Sequence, residues 1–125
     1  MNNFLRARWS WLLPGVILVI ALRVLATTLD TPDGLELKQN FPNPFSTSTE
    51  IRYAIPVGGH VLLHVFNTLG LEVATILNES ELAGNHTARF EGSSFPSGQY
   101  TYILEFTSGD DGAKSKLQKR MYLVR

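Results

Sequence analysis

At 125 residues, with 11 basic against 11 acidic side chains, the chain has room for one domain and no net field for gripping nucleic acid or an anionic membrane. It has no cysteine, which excludes disulfides and thiolate metal sites. The chain has three histidines, His60, His64 and His86, and no cysteine to join them in a ligand set, so neither a metal nor a cofactor is expected.

Arg6 and Arg8 precede an apolar run from Trp11 to Leu22, and Val24-Leu25-Ala26 offers a small residue at a cleavage point. Residues 1–26 are therefore predicted as a secretory signal peptide, a hydrophobic helix whose uncleaved form would be an anchor. The run is short for a bilayer span, which takes about 20 apolar residues, and Pro14 and Arg23 interrupt or bound it. Membrane contact is expected through this segment alone. Residues 27–36 follow as a polar, turn-rich linker containing Asp30, Pro32, Asp33 and Gly34.

The heptad Gln39-Asn40-Phe41-Pro42-Asn43-Pro44-Phe45 divides the chain. Its prolines fix φ, remove two donors and push Phe41 and Asn43 towards extended backbone, so no helix runs through it. Phe41 and Phe45 are the large apolar anchors of a stiff segment predicted as the first strand and end-plug of the domain.

Downstream, apolar residues alternate in short segments separated by turn residues. Ile51, Tyr53 and Ile55 share one face of a strand that stops at Pro56, and Val57-Gly58-Gly59-His60 makes the turn. Val61, Leu63 and Val65 line the next strand, with Leu62 and Phe66 suggesting a central position covered on both sides. Asn67-Thr68-Leu69-Gly70 has the form of a tight turn whose Gly70 can take positive φ, so Leu71 to Leu77 should pair back antiparallel. Asn78 to Gly84 reads as a polar loop. Ala88 and Phe90 point inward from the strand Asn85 to Glu91, and Phe95 in the loop Gly92 to Gly98 plugs one end of the core. Tyr100, Tyr102, Leu104 and Phe106 share one face of the strongest strand, Gln99 to Thr107. Ser108 to Gly112 is a turn rather than a calcium loop. The last strand, Ala113 to Val124, alternates imperfectly, which predicts a register shift near Lys119-Arg120. About six or seven such strands fit an all-β, antiparallel sandwich of the immunoglobulin-like type.

No nucleophile elbow, phosphate loop, zinc-protease signature or dinucleotide fingerprint occurs, and Glu50, Glu105 and Asp111 fall in turns or on outward strand positions. The chain is therefore read as non-enzymatic, with no catalytic residue.

Leu37 to Phe45, Thr49-Glu50-Ile51-Arg52-Tyr53, Gly59-His60-Val61, Asn67 to Thr75, Phe95-Pro96-Ser97-Gly98-Gln99-Tyr100 and Lys119-Arg120-Met121-Tyr122-Leu123-Val124-Arg125 carry a resemblance. Residues 37–125 resemble, in order and spacing, the type A C-terminal sorting domain of the type IX secretion system. They are more loosely similar to the immunoglobulin-like domain of flagellar hook-capping proteins. Ser46-Thr47, Leu71 and Ile103 depart from the family's usual residues. The resemblance implies export in Bacteroidetes-like bacteria: transit through the periplasm, passage through an outer-membrane translocon, and delivery by attachment machinery to the cell surface or medium. By position it implies recognition through Pro56-Val57-Gly58, through Pro96, Ser97, Gly98 and Tyr100, and through Lys119, Arg120, Met121, Leu123, Val124 and Arg125. Asn40 to Phe45 and Gly70 are its structural motifs. Sorting domains trail a cargo, yet only residues 27–36 separate signal from domain. A free-standing secreted or membrane-anchored β-sandwich with a binding or structural role is therefore the alternative.

Overall fold

A computed structural model describes residues 33–125; the signal peptide and most of the predicted linker lie outside the described residues. The described residues form seven strands in two antiparallel sheets. The smaller is ordered β1 (Glu36–Leu37), β2 (Ser48–Ile55), β5 (Gly84–Glu91), and the larger β4 (Glu72–Glu81), β3 (Gly59–Phe66), β6 (Gly98–Ser108), β7 (Lys114–Leu123).

Period-2 alternation explains how the sheets meet, because it gives each strand one apolar face. Ile51, Tyr53 and Ile55 of β2 and Phe90 of β5 face Val61, Leu63 and Val65 of β3, Tyr100, Tyr102, Leu104 and Phe106 of β6, and Met121 and Leu123 of β7; all are buried. This shared core makes the domain a β-sandwich. As expected, β3 is central to its sheet, between β4 and β6. Asn67 shapes the β3–β4 turn: its Oδ1 accepts from Leu69 N and Leu71 N at 2.9 and 3.1 Å, while Gly70 takes φ +81°.

Five expectations are corrected. The linker ends earlier than predicted, because Leu35 is already buried in the core and Glu36–Leu37 pairs with Ala54 and Tyr53. The heptad does not form a regular strand; it holds two cis X-Pro bonds and touches the sheets at single residues, Phe41 opposite Glu50 and Phe45 beside Leu123. Phe41 is not an anchor, since its side chain is 77% exposed. Residues directly opposite in an antiparallel pair share a face. Phe41 therefore points the way exposed Glu50 points, while Thr49 and Ile51 point inward.

Asn78 to Glu81 is strand, not loop, paired residue by residue with Leu62 back to Gly59. Finally, β7 runs against β6 without a shift from Lys114 opposite Thr107 to Leu123 opposite Gly98. Ser115, Leu117, Lys119, Met121 and Leu123 all take the inward face, so half-buried Lys119 keeps the alternation rather than breaking it. An edge strand tolerates an inward lysine because the stem lies along apolar surface while the ammonium reaches water. The register shifts that do occur lie between β3 and β4, at Leu63/His64 and Val65/Phe66.

Candidate functional site

Antiparallel pairing of β6 with β7 sets Gly98 opposite Leu123 and thereby brings the segment Pro96 to Tyr100 against the end of the C-terminal strand. The heptad joins them. Phe45 N donates to Tyr122 O and Val124 N to Phe45 O, both at 2.9 Å, while Tyr122 N donates to Asn43 Oδ1 at 3.0 Å. Gln39 Nε2 adds a 2.6 Å bond to Arg120 O. These contacts occupy the outward backbone groups along the last turn of an edge strand, groups that would otherwise be open. Three segments distant in sequence thus form one pole of the sandwich.

Asn40 is the buried pivot of that pole. Its Nδ2 donates to Thr49 Oγ1 at 2.9 Å and to Pro42 O at 3.1 Å, and Gln39 Nε2 donates to its Oδ1 at 2.8 Å. Thr49 Oγ1 donates to Pro42 O at 2.9 Å. The Tyr102 hydroxyl closes the network by accepting from Asn40 N at 2.8 Å and donating to Lys38 O at 2.7 Å. Burial pushes the Tyr102 phenol up to about 12, against the opposing effect of the Asn40 backbone donor. A turn that cannot supply its own ladder is therefore held by side chains buried with it.

Beneath this network an aromatic row links Phe45, Phe90, Phe95 and Tyr100, with ring centroids 6.1, 5.5 and 6.3 Å apart. Gly92 lets the β5–β6 loop close over it, because a Cβ there would lie 2.7 Å from the Phe45 ring. Arg125 then fastens the loop: its guanidinium donates to Gly92 O and Phe95 O, and its backbone N to Ser97 Oγ at 3.1 Å. The Tyr100 hydroxyl donates to Pro96 O at 2.6 Å.

The residues singled out in the sequence therefore divide by role. Tyr100, Met121 and Leu123 are core, whereas Pro96, Ser97, Gly98, Arg120, Val124 and Arg125 are exposed. Pro56, Val57 and Gly58 lie at the opposite pole, where Gly109 N donates to Gly58 O at 2.9 Å. The 11 residues of β6 span the two poles, roughly 30 Å at about 3.3 Å per residue.

Of what the first pole exposes, the sequence points to Val124 as a recognition residue but not to Leu69, Leu71 or Tyr122, and it casts Phe41 as an anchor. Of six exposed large hydrophobic residues among those described, Phe41, Leu69, Leu71, Tyr122 and Val124 belong to this end and only Leu82 to the other. A period-2 reading assigns apolar residues to the core and offers no signal for Phe41, Leu69 and Leu71, which lie in or beside irregular segments, whereas Tyr122 takes the outward position between Met121 and Leu123 in β7.

Away from the pole, charged and polar groups tie strands together. His64, buried on the outer face of the larger sheet, has Nδ1 2.5 Å from Glu72 Oε1 and Nε2 2.7 Å from Glu105 Oε2. Despite that proximity, His64 Nε2 forms no hydrogen bond among the described residues. Tyr53 OH donates to Glu81, and His86 stacks on the Tyr53 ring at 5.3 Å. Burial and Glu81 hold the Tyr53 phenol well above its usual range. Asp111 accepts from Ala113 N at 3.0 Å, which holds its carboxyl below the usual value. No family model, curated protein or solved structure matches the chain.

Proposed function

We propose that residues 33–125 form an immunoglobulin-like sorting domain of the type IX secretion class. It is a non-enzymatic module that needs no cofactor and directs export through the periplasm to the cell surface or medium. Its partners are the outer-membrane translocon and the surface-attachment machinery, and membrane contact is confined to the N-terminal hydrophobic segment.

The reading rests on the segment resemblance. The observation that carries it furthest is the gathering of the heptad, Pro96 to Tyr100 and Lys119 to Arg125 at one pole rimmed by exposed apolar side chains. A soluble domain that leaves Phe41, Leu69, Leu71, Tyr122 and Val124 in water at one end has a surface suited to a protein partner. The polar network around Asn40 and the Arg125 clamp hold that surface in one shape, which lowers the ordering cost of recognition. Pro56-Val57-Gly58 at the far pole serves as a second, separate contact.

The test is a periplasmic reporter fused ahead of residues 33–125 in a host with the secretion system. Arrival of the reporter at the surface or in the medium is expected. A folded fusion that stays in the periplasm overturns the sorting role and favours the free-standing β-sandwich.

A further inference from the structure

The pole covers only half of the β7 edge. Pairing with β6 uses the odd-numbered residues of β7, and the heptad uses the outward groups of Arg120, Tyr122 and Val124. By the same alternation the backbone N–H and C=O of Lys116 and Gln118 point away from the sheet, and among the described residues no strand hydrogen-bonds to them, β1 packing near β7 without pairing to it. Such a half-row is a template for one more strand.

Side chains on this half-edge specify what that strand would be. Lys114 and Lys116 lie exposed on the outer face at alternate positions, β7 contains no acidic residue, and none of its four cations forms an ion pair among the described residues. The inner face carries half-buried Leu117, packed against the core and flanked by Ser115 and Lys119. A strand laid alongside sets its residues directly opposite these, with Cβ atoms about 4.5 to 5.5 Å apart.

We propose that the free half of the β7 edge, Lys114 to Gln118, accepts by β-strand addition an extended partner segment that alternates acidic with apolar residues. The acids would face Lys114 and Lys116 on the outer side, and an apolar residue would extend the cover over Leu117 on the inner side. The surface is distinct from the apolar pole and does not depend on the sorting role.

The probe is a short capped peptide alternating glutamate with valine, added to the full-length chain and read by amide hydrogen exchange. The amides of Lys116 and Gln118 should slow by about tenfold or more, since they gain acceptors they lacked. Raised salt should weaken the effect, and a lysine–valine peptide should give none. Lys114→Glu with Lys116→Glu should reverse the preference between the two peptides. Gln118→Pro removes a donor that serves no native bond, so the domain keeps its near-ultraviolet dichroism while protection of Lys116 is lost.

Unchanged exchange at both amides under saturating glutamate peptide overturns the proposal. So does equal protection by the lysine peptide, or protection that survives in folded Gln118→Pro. Protection that grows with protein concentration and no peptide assigns the edge to a second copy of the chain and also overturns it.

Discussion

Truncating Asn40 to alanine should destabilise the domain by about 2 to 3 kcal/mol, a loss set by hydrogen bonds at a residue only 2% exposed. The variant loses the bonds from Nδ2 to Thr49 Oγ1 and Pro42 O, each worth about 1 kcal/mol net, and the part-buried bond from Gln39. It orphans no buried backbone group: Pro42 O keeps the Thr49 hydroxyl, and Asn40 N keeps Tyr102. That is why the cost stops at about 2 to 3 kcal/mol, equivalent to a fall in Tm of roughly 10 to 20 °C for a domain of this size. Asn40→Asp keeps the shape but sets an acceptor against Pro42 O and buries a charge, so it should cost more than alanine. Urea unfolding of wild type and both variants, with slopes held equal, measures the difference. An alanine variant within about 0.5 kcal/mol of wild type, or an aspartate variant as stable as asparagine, would refute the pivot role.

Phe45→Ala should cost about 3 to 5 kcal/mol because it empties a core position, whereas Phe41→Ala, at 77% exposure, should stay within about 0.5 kcal/mol. Equal losses in urea unfolding would contradict the assignment of one phenylalanine to the core and the other to the surface. Stability should also fall at alkaline pH. The Tyr102 phenol is raised from 10.0 to about 12, so the folded state favours its neutral form. That contribution is complete below pH 10 and is lost as pH rises through about 12, on the order of 2 kcal/mol. Unfolding free energies between pH 9 and 12 check this, and Tyr102→Phe, which lacks the phenol, should flatten the decline.

The alternation that predicts a sandwich also predicts its core, because a residue's place in Tyr100-Thr101-Tyr102-Ile103-Leu104-Glu105-Phe106 fixes its face whatever the neighbouring strands. What the pattern cannot register is hydrogen bonding at edges. Asn78 to Glu81 reads as loop because it has no apolar face, yet β3 offers it a ladder and its polar side chains stay largely in water. Lys119 reads as a break in alternation because charge is taken for an outward mark, although at an edge an inward stem can reach solvent. Leu35 is hidden by its turn-rich surroundings.

The candidate site was legible as segments but not as a surface. Resemblance names Pro96 to Tyr100 and Lys119 to Arg125, whereas their separation into core Tyr100, Met121 and Leu123 and exposed Pro96, Arg120 and Val124 follows from register. The polar partners of Asn40 and the outward turn of Phe41 depend on contacts between residues up to 62 positions apart, beyond the reach of any local pattern.

Export of the reporter fusion carrying Phe41→Ala with Arg120→Ala tests the recognition pole most directly. Both residues are exposed, so the variant should fold like wild type, with an unchanged urea midpoint. The account predicts that this variant accumulates in the periplasm while the unmodified fusion reaches the surface. A folded double variant exported as efficiently as wild type would contradict it.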